Sequence, residues 1–298
     1  MHRILFALAG LTTLAGAAQA QLPWQSGIGA ATVSSGCTPF AVGTAGATTY
    51  TADCTGTMDI KVWGPGGSGG GSSTATTPGG GAGAFARHAT FAVTSGHVYN
   101  VVDGAGGAAS TSFNSGGGPS YFCDQATSGC TAALTSCALT GSLSSSNFVC
   151  ADFGLAATSG NPAGGQASAS VGATATFNGG SGHAGGTICD PGGGDFTPGG
   201  DGGGAAGPDG AGGNAPVQPG AGNACLRAGQ GDNGSGGLGG FPAVTGGGAG
   251  TTDTAHGGGG AGGGSAGGAN GGAPGGGGSG AWNSGSSGAG ADGRVAGS

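Results

Sequence analysis

Glycine occupies 83 of the 298 positions, and its tracts thicken from residue 179 to the end. A residue without a β-carbon loses more backbone freedom on folding than any other. Inside a helix it costs roughly 1 kcal/mol relative to alanine. The residues that would compensate are scarce, since glutamate is absent and lysine and arginine together number five. A helical bundle and a standard α/β enzyme are therefore excluded. So is a nucleic-acid binder, which needs basic residues against phosphate, whereas the net charge here is −7.

Two outcomes remain for the tract 179–298. It is either a flexible coil or it is ordered by main-chain hydrogen bonds between neighbouring segments. The second has a physical route. A left-handed extended helix with three residues per turn makes no internal hydrogen bonds, so its N–H and C=O groups point outward. When the side chains are hydrogen atoms, two such helices approach closely enough to bond. The strict Gly-X-Y period of collagen is absent, but glycine runs such as 257–260 and 275–278 leave every side of a three-fold helix bare. Trp282, Phe241, Phe196 and two cysteines within the tract favour order.

The N-terminus reads as a bacterial secretory signal over residues 1–20. His2 and Arg3 precede an apolar stretch from Ile4 to Leu14, and Ala18-Gln19-Ala20 is a small-x-small cleavage site that starts the mature chain near Gln21. No later segment approaches 18 apolar residues, so the expectation is a secreted or cell-surface protein that does not span a membrane, with the periplasm as the other destination. Eight cysteines fit that oxidising route: Cys37, Cys54, Cys123, Cys130, Cys137, Cys150, Cys189 and Cys225. Cys37 is expected to pair with Cys54, the middle four among themselves, and Cys189 with Cys225. Zinc is disfavoured because no CxxC pair exists.

Alternating Met58, Ile60 and Val62 against Asp59 and Lys61, closed by Trp63, predicts a half-buried strand. Residues 84–93 and 97–102, separated by Ser95-Gly96, predict a hairpin, and 170–177 a fourth strand. Residues 119–154 carry four cysteines and few glycines, and read as a disulfide-pinned insertion.

The order of these pieces is distinctive. A strand ending in Trp63-Gly64 leads to a glycine run. A Gly-Gly-Ala-Gly-Ala-Phe-Ala strand follows, then a turn, His97-Val98-Tyr99-Asn100-Val101-Val102, Gly-Ala-Gly-Gly, Ser112-Phe113 and long glycine tracts. This resembles the glycine-rich domains of bacterial exported proteins and phage tail adhesins. It is also similar to the glycine-rich domain of anaplastic lymphoma kinase and leukocyte tyrosine kinase receptors. The resemblance covers about residues 45–118 and 160–295. It implies an all-β fold: a β-sandwich of tumour-necrosis-factor-like type with packed polyglycine II-type helices and essentially no α-helix outside the signal. Residues 21–178 would form the β-rich region, with 179–298 packing on or continuing it. Family members often follow Gly-Arg-Val with a further apolar strand. Here Gly293-Arg294-Val295 is followed only by Ala296-Gly297-Ser298, so the last strand is expected to be short or missing.

Tests for chemistry find little. Gly66-Gly67-Ser68-Gly69-Gly70 and Gly263-Gly264-Ser265-Ala266-Gly267 match the nucleophile-elbow pattern, but that motif needs a strand-to-helix turn. Asp190, Asp195, Asp201 and Asp209 lie in one glycine-rich stretch and are weak candidates for calcium ligands, with solvated loop carboxylates the alternative. His88, His97, His183 and His256 share no spacing. No catalytic residues and no cofactor are expected. The function expected is a non-enzymatic structural or surface protein that self-assembles into an extracellular fibre or matrix. Its rivals are an adhesin or ligand-binding module contacting its partner through Trp282, an ice-binding variant of that module, and a secreted hydrolase.

Overall fold

The alternation at Met58, Ile60 and Val62 does bury those three side chains and leave Asp59 and Lys61 outside, in one of the nine strands found among the described residues. The computed structural model describes residues 36–71, 77–110, 117–158, 163–166, 168–185, 199–218, 223, 225–232, 237–240, 249–252, 267–281 and 286–298. The expected signal, Phe196, Phe241, Trp282, Cys189, Asp190, Asp195, Ser265 and His256 lie outside them. The strands are β1 (Phe40–Val42), β2 (Gly46–Thr51), β3 (Gly56–Trp63), β4 (Phe85–Val93), β5 (Val98–Asp103), β6 (Ser120–Asp124), β7 (Phe148–Ala151), β8 (Ala175–Phe177) and β9 (Arg294–Gly297). No α-helix occurs among the described residues. The fold is all-β.

Two sheets form, in the orders β1-β9-β3-β4-β8 and β2-β5-β6-β7, and every pairing is antiparallel. They share one core. Ile60, Val62 and Phe91 from the first sheet are buried together with Tyr99, Val101, Phe122 and Val149 from the second. Phe91 meets Phe122 edge-on at 5.1 Å and Tyr99 at 6.2 Å, while Tyr99 stacks on Phe122 at 5.1 Å. The two edge-on pairs add to the free energy of burial because the positive ring edge faces a negative ring face.

Three features depart from the expected layout. Residues 84–93 and 97–102 do not form a hairpin, because β4 pairs with β3 and β8 in the first sheet whereas β5 pairs with β2 and β6 in the second, and the Ser95-Gly96 turn crosses between the sheets. The segment read as an insertion begins and ends in core strands, because β6 and β7 are buried on both faces. A strand buried on both sides shows no alternation, which hides it from a pattern search. The C-terminal strand is short, as expected, but it is not at an edge. β9 lies between β1 and β3 and buries Val295, and Ser298 then exchanges main-chain hydrogen bonds with Asp59. Arg87 grips the same Asp59 carboxylate through two hydrogen bonds of 2.8 and 2.9 Å.

Cys37–Cys54, Cys123–Cys130 and Cys137–Cys150 are disulfides. Cys225 is buried and also disulfide-bonded.

The glycine segments outside the strands bond to one another through their main chains, and the pattern repeats every three residues. From Gly79 to Ala84, successive N–H groups donate to the carbonyls of His183, Gly278, Leu155, Gly180, Gly275 and Asp152 at 2.7–3.0 Å. Residues 79 and 82 thus serve one neighbour, 80 and 83 a second, and 81 and 84 a third. The carbonyls follow the same rule. Thr77, Gly80 and Gly83 accept from Gly200, Gly203 and Ala206, and Pro78, Gly81 and Ala84 accept from Gly70, Gly67 and Gly64. Ala82 accepts from Gly165. Segment 77–84 is thereby surrounded by six others, drawn from both sides of position 178. A hydrogen-bonding direction that returns after three residues belongs to an extended three-residue turn. Buried amides require partners, and here every partner lies on another segment.

Close approach enforces the glycines. A β-carbon at Gly80 would overlap the carbonyl oxygens of Gly67 and Ser68, whereas Ala82 and Ala84 are fully buried in spaces that admit a methyl group.

Candidate functional site

An open cleft of about 670 Å³ lies between the cysteine-rich segment and residues 168–176. The Cys137–Cys150 disulfide holds one wall to β7, and the main chains of Cys150 and Val171 bond to each other at 2.8 Å to hold the other. Ser136, Ser145, Ser168, Ser170 and Thr176 supply hydroxyls, Leu139 and Val171 supply aliphatic surface, and Asp152 is the one ionisable side chain in the lining. Burial pushes the Asp152 carboxyl above its ordinary range. Its Oδ2 accepts from the Gln166 N–H at 3.2 Å, and its own N–H donates to Ser170 Oγ at 3.0 Å. With no cation in the lining, the cleft suits neutral hydroxylated or cationic groups rather than anions. Leu139, 52% exposed, is its apolar rim. No sequence motif marks this cleft, because its residues come together only when β7 pairs and the disulfide closes.

A second polar cluster sits where β5 runs into the glycine segments. Asp103 is 2% exposed, and among the described residues the Ser120 hydroxyl is the neighbour placed to hydrogen-bond its carboxylate. Burial, reinforced by the nearby Asp292 charge and opposed by Arg294, pushes its pKa up to about 8. Asp292 accepts from the Gly106 N–H at 2.9 Å, and Ser120 Oγ accepts from the Gly104 N–H at 2.9 Å. The Arg294 guanidinium lies 5.7 Å from the centre of the Trp63 ring. Nothing in the sequence hinted at Asp103, since one aspartate between a strand and the glycine-rich stretch 104–107 reads as a turn.

The calcium candidates fare differently from one another. Asp201 is buried, and its Oδ2 accepts from Gln218 Nε2 at 2.5 Å; the same amide ties to Leu226 through both its ends. Asp209 is exposed at a tight turn closed by Gly207 and Gly210, its N–H donating to Asp232 Oδ1 at 2.8 Å. Among the described residues neither belongs to a group of three potential metal ligands; the one such group contains Cys37 and Cys54, whose sulfurs are bonded to each other.

The remaining candidates are structural in their surroundings. Ser68 is fully buried, its hydroxyl has no hydrogen-bond partner among the described residues, and its carbonyl accepts from Ala157. His88 is buried edge-on against Phe91 at 5.4 Å, and burial lowers its pKa. His97 Nδ1 is 2.7 Å from Asp124 Oδ2 at the surface, and His183 Nδ1 is 2.6 Å from the Ala184 carbonyl. Among the described residues no helix is long and apolar enough to cross a membrane.

A family model described as a glycine-rich domain matches residues 41–297. No curated protein matches the chain.

Proposed function

The chain belongs to the glycine-rich domain family, and from that premise we propose that it is a non-enzymatic structural or surface protein, exported from the cell, that self-assembles into a fibre or matrix. The observation that carries this reading is the three-residue hydrogen-bond period around segment 77–84. We read these segments as polyglycine II helices packed beside a β-sandwich made by the two sheets. Such a bundle presents small polar side chains and bare main chain, which suits repeated lateral contact rather than chemistry. Three disulfides support an oxidising destination at the cell surface or outside it. Five basic residues and net charge −7 leave no nucleic-acid partner in prospect.

The test is assembly. Purified chain, concentrated and then centrifuged, is expected to yield pelletable polymer with filaments visible by electron microscopy. A chain that stays fully in the supernatant at every concentration overturns the reading.

The cleft around Asp152 favours one alternative, a surface adhesin holding a hydroxylated or cationic ligand. Specific binding to a glycan panel that Asp152→Asn abolishes, with no polymer formed, would establish that reading instead.

A further inference from the structure

The second sheet ends in an unusual edge. β2, Gly-Ala-Thr-Thr-Tyr-Thr, is exposed at five of its six positions. It carries no charge, no proline and no bulge, and its register with β5 is unbroken from Gly46↔Asp103 to Thr51↔Val98. Such an edge is a template for another strand, and edge strands usually carry a charge, proline or bulge that prevents this.

The main-chain directions can be worked out from the flanking bonds. The Gln125 N–H donates to the Val98 carbonyl, so Val98 faces β6. In an antiparallel ladder the direction alternates along a strand. Tyr99, Val101 and Asp103 therefore face β2, and their partners Tyr50, Thr48 and Gly46 face back. The Ala52 N–H bonded to His97 O agrees. Ala47, Thr49 and Thr51 are left with N–H and C=O groups turned away from the sheet. No other described main-chain group bonds to them.

Those three positions are complementary to themselves. Place a second β2 antiparallel about a two-fold axis through Thr49. Thr49 then pairs with its own copy and Ala47 with Thr51, so all three outward pairs exchange hydrogen bonds. On the outer face threonine meets threonine, a favourable cross-strand pair. Tyr50 stays inside, stacked on Phe40 at 4.6 Å. The nearest charge, Asp53, is four residues from the axis, so its two copies lie about 27 Å apart at ~3.4 Å per residue. That is beyond the screening length of about 8 Å.

We propose that the β2 edge is a docking surface for a second copy of this chain, joining two four-stranded sheets into one continuous eight-stranded sheet. The occupant follows from the register: an uncharged edge whose free groups match their own image. One strand edge covers less than the ~1,000 Å² of a stable interface, so the dimer is weak and forms with rising concentration. The inference deepens the self-assembly reading and rests on it only for its biological use. A two-fold contact closes on itself and makes a dimer, so a polymer needs a further surface.

Sedimentation velocity across a concentration series, with a pelleting assay on the same samples, tests both. Wild-type chain is expected to shift from monomer to dimer, with slowed deuterium exchange at amides 47, 49 and 51. Thr49→Pro removes only an outward N–H, which an edge strand tolerates, and is expected to stay monomeric with an unchanged thermal melt. Thr49→Lys, which sets two charges opposite each other at the axis, is expected to do the same and serves if the proline variant does not fold. A wild-type chain that is monomeric throughout, or dimers that survive either folded variant, overturns the inference. Dimers without polymer support it and overturn the fibre reading; polymer that forms equally in the variants without dimers does the reverse.

Discussion

The carbonyl oxygen of Gly80 lies where a β-carbon at position 277 would have to sit, and Gly277 itself donates its N–H to Gly203, another neighbour of Gly80. Three segments meet there with no side chain between them. Gly277→Ala must push main chain apart, and overpacking of this kind costs about 1–3 kcal/mol. Ala82→Gly, at a buried site that already admits a methyl group, is expected to cost less, about 0.5–1 kcal/mol. Denaturant melts of the two variants check the contrast. Equal losses would mean that the bundle relaxes around added volume.

Stability is expected to fall as pH rises, because of Asp103. Its folded pKa is pushed up to about 8, well above the ordinary carboxylate range, so the folded state holds a proton that the unfolded chain has released. Stability is full below about pH 4, declines toward pH 8 with a slope of at most about 1.4 kcal/mol per unit, and levels off above. Asp103→Asn keeps the shape without the charge and is expected to flatten most of this slope. Asp152, whose pKa is also raised by burial, adds a fall of the same sign, and His88, whose pKa burial lowers, opposes it. Melting temperatures at intervals from pH 4 to 9 give the answer, and an unchanged slope in the variant would remove Asp103 from the account.

β3 and β4 were legible in the sequence, because Met58, Ile60 and Val62 alternate with Asp59 and Lys61 and the turn at Ser95-Gly96 stands out, but that turn carries the chain from one sheet to the other, so the hairpin read from it does not form. β2 was not, since Thr49 and Thr51 on one face and Thr48 and Tyr50 on the other give no apolar period. β9 buries one valine in four residues, too little to register. For the bundle, composition indicated bare main chain but not the neighbours. Glycine has no side chain to encode a partner, so the pairing of Gly80 with Gly278 emerges only from the assembled register. The Asp152 cleft was hidden for a related reason: its walls are brought together by the Cys137–Cys150 bridge.

That bridge yields a prediction of its own. It closes a loop of 13 residues between the cleft wall and β7, and a loop of that size is worth about 3 kcal/mol. Cys137→Ser with Cys150→Ser is expected to lower stability by about that amount. The core around Phe91 and Phe122 should stay native, because the sulfurs pack in a separate cluster with Tyr121 and Phe148. Near-ultraviolet circular dichroism and a melt separate local from global loss, and a collapse of the whole core would show that the two clusters fold as one.

Calcium is expected to leave stability unchanged. The Asp201 carboxylate is already held by the Gln218 amide at 2.5 Å inside the bundle, and the amide oxygen is taken by the Leu226 N–H. A cation would have to displace a donor that is itself tied at both ends. Removing that donor is the costly change: Gln218→Ala strips a buried carboxylate of one hydrogen bond, a loss of about 1–3 kcal/mol. Thermal melts with millimolar calcium, with chelator and with the variant distinguish the two. A rise in melting temperature with calcium that Asp201→Asn abolishes would mean that Asp201 binds the ion after all, and would return Asp190 and Asp195 to consideration as its companions.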